Sequence, residues 1–191
     1  MIHRLTILAV AAFALASPAY ADCASELSAV AQRHQAAGPF RVESRFTVNG
    51  QPRTTVTQVV PPDRIHQVKL GSESVIAGDA MWVRQRGKWV RAPLVIRPID
   101  VAAIHVDLAD RIASASRRQC LGERQRGGKD FVAYHFTSRH KAGGFDAVWA
   151  TELTVDAATG LPVTAETNRG TPAAFVDTYT YDRSIAVTLP E

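Results

Sequence analysis

Histidines and carboxylates are the side chains of this sequence that could perform acid–base or metal chemistry. Five histidines follow residue 21, namely His34, His66, His105, His135 and His140. His135 and His140 lie in or beside one predicted strand at an odd spacing, so their side chains are expected on opposite faces. His34 and His105 lie on separate predicted helices, and neither has a partner at the spacing of metal ligands. The pattern predicts no metal site.

Motifs for a nucleophile or a phosphate are missing from the sequence. It contains no Gly-x-Ser-x-Gly, His-Glu-x-x-His, Cys-x-x-Cys or Gly-x-x-x-x-Gly-Lys-Ser/Thr pattern. Asp107 and Asp110 lie beside Arg111, and we interpret this group as the solvated face of a helix. We therefore predict a protein that is not an enzyme and carries no cofactor. The alternative, an exported hydrolase, requires a carboxylate and a nucleophile beside His66 or His135.

Large apolar side chains stand next to one another in the predicted hairpin AMWVRQRGKWVRA (80–92). Because neighbouring residues of a strand point to opposite faces, both faces of this hairpin carry large apolar groups. A sheet that is apolar on both sides needs two covers, and two short helices cover only one. Three outcomes remain open for the other apolar surface: a slot for an apolar ligand, a partner that covers it, or closure by sheet curvature.

The first residues have the three parts of a secretory signal peptide. MIHRLTILAVAAFALASPAYA (1–21) has a basic start, an apolar run too short to span a membrane, and the small-x-small pattern Ala19-Tyr20-Ala21. We expect cleavage after Ala21 and a periplasmic location for the mature chain. Residues 22–191 are long enough for a single domain with its own core.

Two cysteines and several basic stretches bear on the environment of the mature chain. Cys23 and Cys120 form an even pair, which predicts a disulfide in an oxidising compartment, with two free buried thiols as the alternative. Basic residues gather in turn-like pieces such as RQRGK (84–88) and ERQRGGK (123–129). These are interpreted either as solvated turn tips or as contacts to anionic lipid head groups, and no nucleic-acid partner is expected after export.

Hydrophobic periodicity predicts two helices among many short strands. The first helix is predicted over CASELSAVAQRHQA (23–36). The second is predicted over 99–115, with Asp107 and Arg111 on its solvent side and with these apolar residues at helical spacing: Val101, Ile104, Leu108 and Ile112. About six strands precede the second helix and about five follow it, joined mainly by hairpin turns such as Asn49-Gly50. The pattern predicts an α+β fold with a largely antiparallel sheet.

Five stretches that cover nearly all of the mature chain also carry a family resemblance. They are PFRVESRFTVNG (39–50), PPDRIHQVKLGSESVIAGDAMWVRQRGKWVRAP (61–93), CLGERQRGGKDFVAYHF (120–136), VDAATGLPVTAE (155–166) and YTYDRSIAVTLP (179–190). In this order they resemble the periplasmic lipoprotein-carrier (LolA-type) half-barrel superfamily. The resemblance implies a strongly curved antiparallel sheet of about eleven strands, an incomplete β-barrel, with two helices packed on its concave side.

The resemblance also implies a binding or carrier role for a lipid, an acyl chain or another hydrophobic small molecule held between sheet and helices. On this basis the ligand space is expected to be lined by Phe46, Ile76, Trp82, Val101, Ile104, Leu108 and Phe136. The other face of the 81–92 hairpin is expected to carry tryptophan and arginine side chains stacked as cation–π pairs. The alternative is an envelope protein-interaction or sensory domain without lipid cargo, whose open edge engages a protein or whose basic turns engage a membrane surface.

Overall fold

The structure, a computed structural model, describes residues 22–92, 108–142 and 145–190, with side chains described outside 140–145. The expected signal peptide (1–21), the predicted site residues Val101 and Ile104, and most of the predicted second helix lie outside the described residues. The helices are α1 (Cys23–Ala36) and α2 (Leu108–Ala113). The strands are β1 (Phe40–Val48), β2 (Gln51–Val60), β3 (Arg64–Lys69), β4 (Ser72–Ala77), β5 (Ala80–Gln85), β6 (Lys88–Ala92), β7 (Ala115–Arg126), β8 (Lys129–Ala142), β9 (Phe145–Asp156), β10 (Pro162–Thr167) and β11 (Phe175–Tyr181).

The eleven strands form one antiparallel sheet in the order β6-β5-β4-β3-β2-β1-β11-β10-β9-β8-β7. Two meanders, β1 to β6 and β7 to β11, join where β1 pairs with β11, with Phe40 opposite Tyr181. The edge strands β6 and β7 are not paired with each other, so the sheet is not closed. The predicted α+β fold with an incomplete barrel is confirmed.

The hairpin turns follow from residues that tolerate a left-handed backbone. Asn49 and Gly50 have φ values of 51° and 75°, and they connect β1 to β2 as their sequence predicts. The same conformation occurs at Arg86 and Gly87, with φ values of 51° and 82°, at the tip of the β5–β6 hairpin. These turns fix the register of the strands, and the register decides which side chains share a face.

Helix α1 begins at a capped residue and packs on the concave face of the sheet. The Asp22 side chain accepts a hydrogen bond from the Ala24 N–H at 3.1 Å, which satisfies one free donor of the first turn. Leu27 and Val30 are buried, and the His34 ring shares a hydrogen bond with the Tyr181 hydroxyl at 2.7 Å. These contacts fix the helix against β1 and β11.

A disulfide joins the start of α1 to the edge strand β7. Cys23 and Cys120 are bonded, with their Cα atoms 5.6 Å apart and a sequence separation of 97. The pairing predicted from the even cysteine count is confirmed. Beside it, Tyr134 on β8 donates a hydrogen bond to Glu26 on α1 at 3.1 Å. Burial and this hydrogen bond raise the pKa of Tyr134 to about 12, so its hydroxyl stays a donor.

Helix α2 ends earlier than the apolar pattern predicts. The pattern extends to 115, whereas the helix ends at Ala113 and Ala115 already pairs with Ser138 in the β7–β8 ladder. The prediction of this end was wrong because the alanine and serine residues of 113–116 fit both a helix and a strand, and pairing with β8 selects the strand. Leu108 and Ile112 are buried as the predicted stripe requires.

The hydrophobic core lies between the two helices and one half of the sheet. Its buried members come from α1, α2, β1 and β7 to β11: Leu27, Val30, Phe40, Val42, Leu108, Ile112, Ala115, Tyr134, Phe136, Leu153, Val155, Ala165 and Tyr179. Val59 on β2 is half-buried at its border. The helices therefore cover one half of the concave face.

After β11 the chain turns and crosses the convex face of the sheet. The turn is closed by the Asp182 side chain, which accepts a hydrogen bond from the Ser184 N–H at 2.8 Å. Residues 186–190, here called the tail, then line a cleft of about 300 Å³ together with convex residues of β3, β4 and β6. Val187 of the tail and Val75 of β4 are both buried. The tail thus supplies part of the second cover that the sequence requires.

Candidate functional site

The strand register divides the sheet residues between the concave and convex faces. Phe40 and Val42 on β1 belong to the core, so they mark the concave face. Phe40 lies opposite Tyr181 on one side and opposite Val59 on the other. The same row continues across β3 to β6, through Ile65, Ile76, Met81 and Ala92. One apolar row therefore runs from the helix-covered core to the edge strand β6.

The part of this row beyond β2 is separate from the core. We call it, with its neighbours one pleat away, the open strip: Ile65, Ile76, Met81, Val83, Val90 and Ala92. Five of these side chains are half-buried, and Val90 is 43% exposed. None of them belongs to the buried cluster formed by the described residues. The open strip is an apolar surface on the concave face of the sheet.

Polar side chains lie on the same face as the apolar row, two to four residues away from it along β2 and β3. Thr57 and Gln67 are buried on the concave face, where the Gln67 amide donates a hydrogen bond to the Thr57 hydroxyl at 3.4 Å. The Thr55 hydroxyl is also buried and has no hydrogen-bond partner among the described residues. A buried polar atom of this kind is costly to leave unpaired. The concave face therefore pairs an apolar strip with hydrogen-bonding groups.

A buried arginine connects α2 to the concave face. Arg111 is 2% exposed. Its guanidinium donates hydrogen bonds to the hydroxyls of Thr151 and Thr167, each at 2.6 Å, and to the Asp177 carboxylate at 3.3 Å. The guanidinium carbon also lies 5.4 Å from the Trp149 ring centre. The prediction that Arg111 faces solvent was wrong, because these partners on β9, β10 and β11 replace water around its charge.

The Asp177 carboxylate is the counter-ion of Arg111. Burial raises its pKa, while a hydrogen bond from Ser44 and the charge of Arg111 act in the opposite direction. Ser44 donates to the second carboxylate oxygen at 2.6 Å. Arg111 thus holds helix α2 against the concave face through hydrogen-bond partners on three strands, β9, β10 and β11.

A second cleft lies next to this cluster, where β1 ends and β11 begins. It has a volume of about 250 Å³, and its lining includes Phe46, Phe175 and Pro52. The Phe175 ring also lies 5.6 Å from the Arg111 guanidinium carbon. The cleft is mainly apolar, with Arg45 and Arg53 at its margin. Phe175 therefore forms the boundary between this cleft and the buried Arg111 cluster.

The structure places the predicted site residues that it describes in four different locations. Leu108 and Phe136 lie in the core, Phe46 lines the cleft beside Phe175, and Ile76 lies in the open strip. All four lie on the concave side. Trp82 pairs with Val75, whereas Ile76 pairs with Met81, so Trp82 lies on the convex face. Trp82 and Ile76 cannot line one space, because adjacent pairs of a ladder point to opposite faces.

The convex face of the β5–β6 hairpin carries the predicted cation–π pairs. The Arg84 guanidinium carbon lies 5.9 Å from the Trp89 ring centre, and the same distance separates Arg91 from the Trp82 ring. Arg84 also donates a hydrogen bond to Glu73 at 2.7 Å. The expectation of stacked tryptophan and arginine groups on the outer face is confirmed.

His66, a candidate for acid–base chemistry, lies on the same convex face. Its ring nitrogens are hydrogen-bonded to Gln58 Oε1 at 3.1 Å and to Glu73 Oε1 at 3.0 Å. A carboxylate is therefore present, but both ring nitrogens already have partners and neither partner is a nucleophile. Within residues 22–92, 108–142 and 145–190, no group of three or more metal-ligating side chains is close enough to hold an ion.

Comparison with solved structures identifies proteins of similar fold. The lipoprotein LppX of Mycobacterium tuberculosis superposes with a TM-score of 0.55 at 12% identity, over 85% of this chain and 98% of LppX. LprF from Mycobacterium bovis gives a TM-score of 0.55 at 12% identity, over 88% of this chain and 96% of LprF. No protein-family model and no curated protein sequence matches the chain. The architecture of this chain is thus shared with LppX and LprF at the level of fold.

None of the helices among the described residues is both long enough and apolar enough to cross a bilayer.

Proposed function

We propose that this protein is a carrier that holds a lipid, an acyl chain or a similar hydrophobic molecule against the concave face of its sheet. The observation that carries the proposal is the open strip, which continues the apolar row of the core across β3 to β6. An apolar chain laid along this row would extend the core outward. The buried hydroxyls of Thr55 and Thr57 would lie beside it and suit a ligand with a polar end.

The energy available for such binding is set by the buried methylene groups of the ligand. Each buried CH₂ contributes about 0.8 kcal/mol. About ten of them correspond to a Kd on the order of 1 µM before the cost of ordering the chain. Burial of about ten methylene groups therefore provides enough free energy for a carrier role, and this role requires no catalytic group.

Ligand binding is tested first on the protein as purified. Solvent extraction followed by mass spectrometry should reveal a copurified lipid, and a fluorescent fatty acid should bind saturably to protein from which this lipid has been removed. A preparation that contains no lipid and takes up no fatty acid would overturn the carrier proposal.

Two exposed valines on opposite faces provide matched variants. Val90 in the open strip is 43% exposed and Val68 on the convex side of β3 is 41% exposed, so neither substitution opens a cavity. Val90→Lys should weaken fatty-acid binding at least about tenfold, because it places a charge against an apolar chain. Val68→Lys should leave binding unchanged. Equal affinities for the two variants would contradict the assignment of the site to the concave face.

We further propose that the carrier acts in the periplasm after removal of residues 1–21. The three-part pattern of this segment supports the proposal. N-terminal sequencing of the protein recovered from the periplasmic fraction should begin at Asp22. Recovery of the chain with residue 1 intact in the cytoplasm would contradict it.

The second candidate function is protein binding at an open sheet edge. On β7 the segment 121–126 is exposed throughout, and among the described strands β7 pairs with β8 alone. Such edges pair with an added strand. Chemical cross-linking in envelope extracts distinguishes the two functions. One stoichiometric protein cross-linked through β7, on protein free of lipid, would favour this candidate over the carrier.

A further inference from the structure

The outer face of the β5–β6 hairpin combines aromatic rings with unshielded cations. We call this surface the docking patch; its members are Trp82, Arg84, Arg86, Trp89, Arg91 and Leu189. The first five lie on the hairpin, at convex positions or at its tip. Leu189 belongs to the tail, which lines one cleft together with Trp89. The docking patch is separated from the open strip by the thickness of the sheet.

Cation–π contacts join charged and aromatic groups of the hairpin in two pairs. Arg84 lies over Trp89 and Arg91 over Trp82, each at 5.9 Å, so every tryptophan of the hairpin is paired with a cation. Both rings are half-buried, and the three arginines are exposed. Leu189 adds an aliphatic side chain that is 40% exposed. The patch therefore offers rings, an aliphatic group and cations on one face of the sheet.

The charge of the patch is positive. Among the described residues, Glu73 is the carboxylate that pairs with a cation of the patch, and it accepts a hydrogen bond from Arg84 at 2.7 Å. Hydrogen bonds from Arg84 and then His66 lower the pKa of Glu73, so this carboxylate stays ionised and offsets one cation. Arg86 and Arg91 remain as uncompensated charges among the described groups of the hairpin. An anionic surface is the complementary partner.

We propose that the docking patch binds the surface of an anionic phospholipid bilayer. Tryptophan is the side chain that prefers the membrane–water interface, where its ring reaches the acyl region while its N–H stays hydrated. Arginines at the same level contact phosphate groups, and each adds to the attraction of a negatively charged leaflet. This inference goes beyond the proposed function, because it concerns the opposite face of the sheet and stands whether or not the open strip holds a ligand.

A second basic hairpin in the same protein provides the control. The β7–β8 turn carries Arg126 and Lys129 around Gly127 and Gly128 but has no tryptophan. If binding depended only on the attraction of positive charge to anionic lipid, both hairpins would contribute equally to it. Docking through the patch requires the β5–β6 hairpin alone.

The experiment is vesicle flotation with the full mature chain. Wild type should float with vesicles of phosphatidylcholine mixed with phosphatidylglycerol, should stay behind with phosphatidylcholine alone, and should lose binding as salt is raised. The variant Arg86→Gly/Arg91→Glu should bind at least about tenfold more weakly. Glycine is chosen at 86 because the backbone there has a φ of 51°. The control Arg126→Gln/Lys129→Glu changes the net charge equally and should still bind.

A second measurement keeps the test informative if the charge variant is unstable. Phospholipids brominated in their acyl chains should quench tryptophan fluorescence in wild type, and this quenching should fall in Trp82→Phe/Trp89→Phe. Val90→Lys should float like wild type, which separates docking from cargo uptake. Absence of flotation in wild type, or equal loss in the patch and control variants, would overturn the proposal.

Discussion

Arg111 is the residue whose environment departs furthest from its sequence context. It follows Asp110 in a helix that looks amphipathic, yet it is 2% exposed and bonded to Asp177, 66 residues away. Asp177 and the two threonine partners lie in strands whose alternation marks them only as inward-facing. A local pattern cannot show that an inward carboxylate and a helical arginine will meet, because that contact depends on how α2 packs on the sheet.

Removal of one member of this buried pair should be costly. Arg111→Ala should lower the free energy of unfolding by about 3–5 kcal/mol, because it leaves the Asp177 carboxylate buried without its counter-ion. Urea denaturation measures this change. Arg45→Ala is the control: Arg45 pairs with Glu43 on the exposed surface, and its loss should cost less than about 1 kcal/mol.

The double variant Arg111→Met/Asp177→Leu separates charge from packing. It removes both charges and keeps apolar volume, so it should recover most of the stability lost in Arg111→Ala. If Arg111→Ala itself costs under 1 kcal/mol, the pair does not hold α2 as described. A double variant that is less stable than Arg111→Ala would contradict the view that the unpaired Asp177 carboxylate causes the loss of stability.

At the scale of single elements, the turns and helix α1 could be predicted from sequence because their signals are local. Asn49-Gly50 permits the left-handed backbone that a tight hairpin needs. The tail shows the limit of this approach. Apolar residues alternate like those of a strand from the preceding turn into the tail, at Ile185, Val187 and Leu189, but the tail pairs with no described strand and lies across the convex face instead. Strand formation needs a free partner edge, and the local pattern contains no information about one.

The disulfide between α1 and β7 should stabilise the helix-covered half of the sheet. Cys23→Ser/Cys120→Ser should lower the free energy of unfolding by about 2–5 kcal/mol, since the bond closes a loop of 97 residues in the unfolded chain. Chemical denaturation under non-reducing conditions measures the loss. Wild type treated with a reductant should match the double serine variant. A wild type that is unaffected by reduction would show that the bond adds no stability.

The packing of the tail on the convex face should depend on one buried side chain, that of Val187. Val187 is 4% exposed and its neighbour Thr188 is exposed. Val187→Asp should release the tail from the convex face, because a carboxylate is not tolerated against Val75. Limited proteolysis should then cut between 182 and 190 faster than in wild type. Thr188→Asp should behave like wild type, and equal cleavage of both variants would contradict the packing described for Val187.

At the scale of the whole molecule, the curved sheet is one structure with two differently covered halves. The α+β class and the number of strands could be predicted, because a hairpin and its turn are formed by consecutive residues and their sequence signals are local. The face on which each predicted site residue lies could be predicted only in part. The sequence predicts Trp82 in the same space as Ile76, whereas the ladder register pairs Trp82 with Val75 and places it on the convex face. Alternation identifies two faces but does not say which one is concave.

The unbroken row from Tyr181 and Phe40 to Ala92 has a thermodynamic consequence. A molecule seated on its outer part would complete the interior of the protein, so occupancy and folding would be a single linked equilibrium. The melting temperature should therefore rise with the concentration of added fatty acid. At one hundred times Kd, the free energy of unfolding should increase by about 2.7 kcal/mol. Differential scanning calorimetry of delipidated protein measures the shift, and a melting temperature independent of fatty acid would contradict it. In the proposed carrier, the ligand would supply the part of the apolar core that the ligand-free protein lacks.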